Sequence, residues 1–302
     1  MNTQFPLAFG TMQFGAGADE TASRAMFEDC IAAGLTHFDT ACGYAEGASE
    51  TLLGRFAAPL RERLFIATKV GYFGGAGRTN LTEQFDGSRQ RLGMDRVDLL
   101  YLHRFDPDTD LNETLETFAG FQAKGLIGQI GLSNFAAWAV MKAQGIAKTL
   151  GTRIDAIQPM YSLVKRQAEV ELFPMAADQG ITAYTYSPLG GGLLSGKYAQ
   201  GQTGRLTVDE RYAVRYAAAP MAAAAAALSA LATELGTHPA TLAVAWARRH
   251  PLRPVPLISA RSTTQLAPSL AAALYPMTDE THARISALYP APPPATDRTE
   301  EA

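Results

Sequence analysis

Residues 64–69, LFIATK, form a run of apolar and β-branched side chains that ends on a lysine. Two further runs share this design: residues 35–39, LTHFD, end on an aspartate, and residues 97–103, VDLLYLH, end on a histidine. A lone charge at the buried end of a strand costs several kcal/mol. Successive runs of this kind indicate that their charged ends face one another in a shared site. This is typical of a parallel barrel with its chemistry on one face.

Short β-rich segments alternate with longer helical segments along the chain, which predicts βαβ units and a parallel sheet. A polar loop is predicted near residues 201–212, before two helices near 221–235 and 239–249. We predict strands near residues 7–11, 35–39, 64–69, 97–103, 127–132, 154–157, 181–186 and 255–258.

The chain of 302 residues is long enough for one barrel of eight such units, which needs about 250. We therefore predict an α/β fold with a single domain, a (β/α)8 TIM barrel over residues 1–289. Residues 290–302 are rich in proline and acidic side chains. They are predicted to form a disordered tail.

Charge and cysteine content argue against several classes of function. The formal net charge is −3 and the basic residues form no block, so we expect no nucleic-acid or membrane partner. The two cysteines, Cys30 and Cys42, suggest no disulfide framework. The first residues do not resemble a signal peptide, and Pro220 interrupts the alanine-rich run 217–232. We predict a cytoplasmic protein.

Two glycine-rich segments invite comparison with nucleotide-binding motifs. Residues 71–79, GYFGGAGRT, place five residues between the outer glycines, where a P-loop has four, and carry Arg78 where that motif needs lysine. Gly190 and Gly192 begin a GxGxxG pattern that Ser195 breaks. Both segments are predicted to be loops rather than phosphate sites of these two kinds.

Four residues at or just after the predicted strand ends suit proton transfer to a carbonyl. Tyrosine is a poor acid near neutral pH, since its usual pKa is about 10. A neighbouring ammonium favours the phenolate and so eases proton transfer, and a carboxylate holds that ammonium charged. A neutral histidine can donate a hydrogen bond to the carbonyl oxygen. Taken singly, each residue has an ordinary structural explanation; together we predict them as catalytic: Asp39, Tyr44, Lys69 and His103.

Several segments, taken in order, resemble the aldo-keto reductase superfamily, including its bacterial members. The similarity runs from about residue 10 to residue 270. It rests on residues 36–41 THFDTA, Tyr44, 47–54 GASETLLG, 66–70 IATKV, 98–103 DLLYLH, 125–135 GLIGQIGLSNF, 158–166 QPMYSLVKR and 186–197 YSPLGGGLLSGK.

The resemblance implies NADPH or NADP+ as cofactor, with NADH possible, and it implies a role for individual residues. Tyr44 would be the general acid, Lys69 and Asp39 would tune it, and His103 would orient the carbonyl. Arg261 gives a reason to favour NADPH. The implied cofactor-binding residues are Ser133, Asn134 and Gln158 for the carboxamide, Tyr186 for ring stacking, Ser187, Leu189, Gly191 and Lys197 for the pyrophosphate, and Ser259, Arg261 and Gln265 for the 2′-phosphate.

The sequence departs from the family pattern at a few positions. Pro268 and Ser269 stand where an acidic residue and asparagine commonly contact adenine, and Ala45 stands where glycine usually follows the tyrosine. The remaining histidines have no metal-site spacing, so no metal is predicted.

The leading hypothesis is NADPH-dependent reduction of an aldehyde or ketone, a small-molecule carbonyl substrate. The alternatives are a barrel enzyme that uses Lys69 as a Schiff base and a non-catalytic NADPH-binding regulatory subunit. The sequence indicates neither the oligomeric state nor the carbon skeleton of the substrate. The residues expected to line the substrate pocket are Met12, Phe14, Tyr72, Phe73, Arg104 and Phe105.

Overall fold

Eight short parallel strands close into a barrel in the computed structural model, which describes residues 5–296. Each strand pairs with the next, and the eighth closes the barrel against the first. The predicted (β/α)8 barrel is confirmed. The strands are β1 Ala8–Gly10, β2 His37–Asp39, β3 Phe65–Val70, β4 Val97–Leu102, β5 Ile127–Ser133, β6 Ala156–Gln158, β7 Thr182–Thr185 and β8 Val255–Ile258.

Helices connect the strands and pack around the barrel. Side chains of Asp19, Asp110 and Ser262 accept hydrogen bonds from backbone N–H groups in the first turns of three of them, which fixes where these helices begin. The helices are α1 Glu20–Ala32, α2 Ala48–Ala57, α3 Arg78–Leu92, α4 Leu111–Ala123, α5 Ala137–Thr149, α6 Leu172–Gln179, α7 Arg205–Val208, α8 Glu210–Arg215, α9 Ala219–Glu234, α10 Pro239–Arg249, α11 Thr263–Ala271 and α12 Asp279–Ser286.

The segment between β7 and α9 differs from the predicted loop. Residues 201–212 contain α7 and the start of α8. Tyr212 and Leu206 supply the reason, because both pack against the main hydrophobic core and so give an otherwise polar segment an apolar face.

Alternation along β2 separates the two layers of the core. Phe38 points outward and packs against Phe9 and Phe27, in the layer between strands and helices. The neighbouring His37 and Asp39 therefore point into the barrel. A small separate cluster fills that interior: Ala8, Ala67, Leu99, Tyr101, Ala156, Tyr184 and Leu257.

Two inward residues on adjacent strands depend on each other. A Cβ atom on Gly131 would lie 2.4 Å from the ring of Tyr101, so glycine in β5 makes room for this aromatic ring.

His37 lies between the rings of Phe65 and Tyr184, each 4.6 Å from it. Burial, with a smaller effect of the nearby lysine charge, lowers the pKa of His37 to about 3, so this histidine is neutral. His37 is therefore a structural residue of the barrel core.

The disordered tail stays a prediction. Residues 290–296 form no helix or strand, and residues 297–302 lie outside the described part of the chain.

Among the described residues, no single helix is long and apolar enough to cross a membrane. Helices α9 and α10 reach that length and hydropathy only together, with a bend of 103° between them.

The contact between α2 and α3 generates a stability prediction. A Cβ atom on Gly54 would lie 2.2 Å from the carbonyl oxygen of Leu92, and this backbone group cannot move aside as a flexible side chain could. We expect Gly54→Ala to lower the free energy of unfolding by about 1–3 kcal/mol or more, measured by urea denaturation.

The matched control is Gly145→Ala in α5, where a new Cβ meets nothing within 4 Å. It should raise the free energy of unfolding by about 0.5–1 kcal/mol, because alanine loses less entropy in a helix. Equal effects of the two substitutions would contradict the close packing of α2 on α3.

Candidate active site

The four predicted catalytic residues meet at the carboxyl ends of β2, β3 and β4. Asp39 ends β2, Lys69 lies in β3, and His103 follows β4 directly. Tyr44 begins a 3-10 turn after β2. The Lys69 Nζ atom lies 5.2 Å from the centre of the Tyr44 ring, and the Tyr44 and His103 rings are 5.9 Å apart. The fold therefore brings the predicted set into one site.

Lys69 is shielded from water. Its ammonium donates to Asp39 Oδ1 and to the Thr40 carbonyl oxygen at 2.8 Å, and the Tyr44 side chain lies beside it. Burial lowers the pKa of Lys69, but Asp39 and Tyr44 outweigh burial and raise it. The lysine is therefore charged.

Asp39 has a second partner on the far side of the barrel. Its Oδ2 atom accepts a hydrogen bond from Gln158 Nε2 at 2.9 Å. Burial raises the pKa of Asp39, while Lys69 and Gln158 act in the opposite direction by binding the charged form. Gln158 thus joins the predicted cofactor-binding residues to the catalytic set.

The pKa of Tyr44 differs in direction from what its neighbour Lys69 suggests. Burial raises the pKa of the phenol, and this effect exceeds the lowering by the lysine charge. Tyr44 therefore remains protonated in the absence of other bound groups. The lysine lowers the pKa of Tyr44, as expected, but by less than burial raises it.

His103 is neutral. Burial lowers its pKa to about 3, with smaller contributions from Lys69 and Arg104. Its Nδ1 atom is buried and has no hydrogen-bond partner among residues 5–296. The Tyr72 ring packs 4.9 Å from the histidine ring and fixes its orientation.

A buried hydroxyl cluster beneath Lys69 was not predicted from the sequence. Ser49 Oγ lies 2.8 Å from Thr11 Oγ1 and 3.0 Å from Thr40 Oγ1, and all three residues are inaccessible to water. Ser49 also donates to the Thr11 carbonyl oxygen at 2.8 Å. The cluster positions the Thr40 backbone, whose carbonyl holds Lys69. Only the clustering of small hydroxyl residues near the strand ends hinted at it.

The turn that carries Tyr44 is strained. Ala45 has φ of 49° and Glu46 has φ of 53°, in the left-handed region that glycine occupies without cost. The departure at Ala45 therefore places a Cβ where the family usually has none. The neighbouring Gly47, at φ of 93°, takes up the remainder of the turn.

The residues predicted to hold the carboxamide of the cofactor lie side by side. Ser133 Oγ donates to the Gln158 carbonyl oxygen at 3.0 Å, and Asn134 Nδ2 donates to the His103 carbonyl oxygen at 3.0 Å. The Tyr186 hydroxyl donates to Asn134 Oδ1 at 2.7 Å. Asn134 therefore connects the half-buried Tyr186 ring to His103 of the predicted catalytic set.

The loop after β7 has an unusual backbone conformation that depends largely on its glycines. Ser187 and residues 190–192 all have positive φ, and a Cβ on Gly191 would lie 2.9 Å from Tyr212 and 3.1 Å from Leu206. Leu189 packs against the hydrophobic core and anchors the loop. Helices α7 and α8 thus cover this loop closely.

Three cations lie together near that loop. Burial lowers the pKa of Lys197, and the charges of Arg261 and Arg205 lower it further. Arg261 Nε donates to Gln13 Oε1 at 3.0 Å, and its backbone N–H donates to Gln265 Oε1 at 3.2 Å. Mutually repelling cations are stabilised by a bound anion. With the glycine loop and the amides, this cluster fits a dinucleotide phosphate ligand, and Arg205 is a member that the sequence reading missed.

Most residues predicted to line the substrate pocket lie at the rim. Tyr72, Phe73 and Arg104 are exposed, and Phe105 and Met12 are partly exposed.

The prediction for Phe14 is wrong. Phe14 is fully buried and packs against Phe9 and Phe56 between strand and helix layers. Trp138, whose ring lies 5.7 Å from Phe105, is a rim residue that was missed.

No three His, Cys, Asp or Glu residues in the described part of the chain are grouped to hold a metal ion.

Comparison with known proteins identifies the family of this chain. A profile of the Aldo/keto reductase family matches residues 6–290. The uncharacterized oxidoreductase YrpG of Bacillus subtilis (strain 168) is 30% identical, with 95% of this chain and 92% of that protein covered. Human aflatoxin B1 aldehyde reductase member 2 is 38% identical over 63% of this chain, which spans 54% of that protein.

Another relative is named as an ion-channel subunit rather than as an oxidoreductase. A probable voltage-gated potassium channel subunit beta of Oryza sativa subsp. japonica is 31% identical, with 81% of this chain and 80% of that protein covered. The family profile spans nearly the whole chain, including the four positions predicted to be catalytic. The chain belongs to the aldo/keto reductase family and is an NAD(P)H-dependent oxidoreductase.

Proposed function

We propose that this protein reduces a small aldehyde or ketone to an alcohol with NADPH, and that Tyr44 is the general acid. The charged ammonium of Lys69 beside Tyr44 carries this proposal. Two of its three N–H groups are donated to Asp39 and to the Thr40 carbonyl, which leaves the third for the Tyr44 hydroxyl next to it. A tyrosine oxygen that accepts from this lysine keeps its own proton for donation to a substrate oxygen.

His103 completes the proton-donating side of the site. Because it is neutral, one of its ring nitrogens carries a proton that can be donated to the same carbonyl oxygen. The oxygen becomes negative as the carbonyl is reduced, and donors aimed at this charge stabilise the transition state. Lys69 stabilises the phenolate that remains when Tyr44 has lost its proton.

NADPH supplies the hydride when it is bound in this site. Three groups of residues would hold it. Amide and hydroxyl groups would hold the carboxamide, Tyr186 would lie against the ring, and the cations with the glycine-rich loop would hold the phosphates. The proposed residues are Ser133, Asn134, Gln158, Tyr186, Ser187, Leu189, Gly191, Lys197, Arg205, Ser259, Arg261 and Gln265. The cytoplasmic location predicted from the sequence belongs to the same proposal.

A Schiff base on Lys69 is disfavoured by the same geometry. An attacking amine must be neutral and have a free lone pair. Lys69 instead donates hydrogen bonds to Asp39 and to the Thr40 carbonyl, and Asp39 and Tyr44 raise its pKa despite burial.

A non-catalytic NADPH-binding subunit remains the second candidate, favoured by the similarity to the rice potassium channel subunit. It predicts NADPH binding without turnover of any carbonyl.

The role of Tyr44 can be tested by removing its hydroxyl. We expect Tyr44→Phe to lower kcat/KM for aldehyde reduction by about a hundredfold or more, because the proton donor is lost. NADPH oxidation at 340 nm measures the rate, and calorimetric titration should give an unchanged Kd for NADPH. Full activity of Tyr44→Phe would contradict the assignment, whereas an inactive wild type that binds NADPH would favour the regulatory alternative.

The preference for NADPH can be tested at Arg261. A guanidinium beside the 2′-phosphate contributes a charge-assisted hydrogen bond that NADH cannot make. We expect Arg261→Ala to raise Kd for NADPH about tenfold and to change Kd for NADH less than about twofold.

The control is Arg63→Ala, an exposed arginine before β3 at the opposite end of the barrel. If Arg261→Ala raised Kd for NADPH and for NADH by the same factor, this arginine would not bind the 2′-phosphate.

A further inference from the structure

Four aromatic side chains form one sector of the rim above His103. Tyr72 and Phe73 lie on the loop after β3, Phe105 on the loop after β4, and Trp138 at the start of α5. These loops are neighbours because their strands pair in the barrel. Phe73 is 62% exposed and Trp138 is 63% exposed. Large exposed apolar side chains clustered beside a polar site are typical of a ligand-binding surface.

Arg104 lies within this aromatic sector. Its guanidinium carbon is 5.1 Å from the centre of the Tyr72 ring, and that ring is 4.9 Å from the His103 ring. A guanidinium stacked on an aromatic face keeps its N–H groups available in the plane. The Tyr72 ring therefore contacts both the arginine and the histidine that would bind the carbonyl oxygen.

Arg104 has no carboxylate partner of its own. It forms no ion pair within residues 5–296. The acidic residue on its own loop, Asp106, instead accepts hydrogen bonds from the backbone N–H groups of Ala76 and Asp108 and from the Thr109 hydroxyl. These donors hold the carboxylate in the loop. Asp106 is near enough for the Arg104 charge to contribute to its lowered pKa, but the two form no ion pair, so the N–H groups of Arg104 are left for a ligand.

We propose that Arg104 binds a carboxylate on the substrate, so that the preferred substrate is an aryl carbonyl compound with a carboxylate opposite its carbonyl group. This inference rests on the proposed function. The carbonyl oxygen meets Tyr44 and His103, the flat apolar body lies against the aromatic sector, and the carboxylate meets the guanidinium. A guanidinium can bind a carboxylate through two parallel hydrogen bonds, which fixes the orientation of the substrate better than the point charge of a lysine could.

The test compares two aldehydes that differ in charge, 4-carboxybenzaldehyde and the neutral 4-formylbenzamide. The variants are Arg104→Gln, which removes the charge, and Arg104→Lys, which keeps it without the fork geometry. Arg63→Gln is the control for net charge, since Arg63 is exposed at the other end of the barrel.

We expect Arg104→Gln to lower kcat/KM for 4-carboxybenzaldehyde about tenfold, mainly through KM, and to change kcat/KM for 4-formylbenzamide less than about twofold. Arg104→Lys should fall between wild type and Arg104→Gln, and Arg63→Gln should match wild type. Comparing each aldehyde across variants cancels the difference in their intrinsic reactivity.

Two outcomes would overturn the proposal while leaving carbonyl reduction intact. Equal losses for both aldehydes, with a changed pH profile, would mean that Arg104 acts through Tyr72 on His103. Unchanged rates for both aldehydes would mean that Arg104 does not contact the substrate. A wild-type protein that reduces no carbonyl at all would instead refute the proposed function, and the substrate subsite with it.

Discussion

A lysine and an aspartate almost fully shielded from water meet inside one end of this barrel. Burying two charges costs several kcal/mol per ion, and their attraction offsets this only when the remaining hydrogen-bonding groups are also satisfied. Most of these groups have partners. Lys69 donates to Asp39 and to the Thr40 carbonyl, and Asp39 accepts from both Lys69 and Gln158. Tyr44 lies beside the lysine, where the third N–H group remains.

The same requirement connects the proposed catalytic residues to both sides of the site. On one side, Gln158 joins Asp39 to the amides and to Tyr186, where a nicotinamide would bind. On the other side, the Tyr72 ring packs against His103 and also contacts the Arg104 guanidinium. A substitution in the ion pair would therefore alter both the proposed cofactor site and the proposed substrate site.

The sequence predicted the barrel and the meeting of the catalytic residues because strand period and buried charges are local signals. It did not predict features that depend on packing between distant segments. The pKa of Tyr44 is raised because burial outweighs Lys69, and burial cannot be read from neighbouring residues. Phe14 follows a strand end, yet its ring turns into the layer between strands and helices. The Ser49 hydroxyl cluster joins two strand ends to α2 and leaves no periodic pattern.

The dependence of the site on the ion pair is tested most directly by a double-mutant cycle of unfolding free energies with Asp39→Asn, Lys69→Met and the double variant. Each single variant leaves a buried charge unpaired, and we expect it to lose about 3–5 kcal/mol. The double variant should lose at least about 2 kcal/mol less than the sum of the two. Losses that add to within about 0.5 kcal/mol would contradict the claim that these two charges stabilise each other.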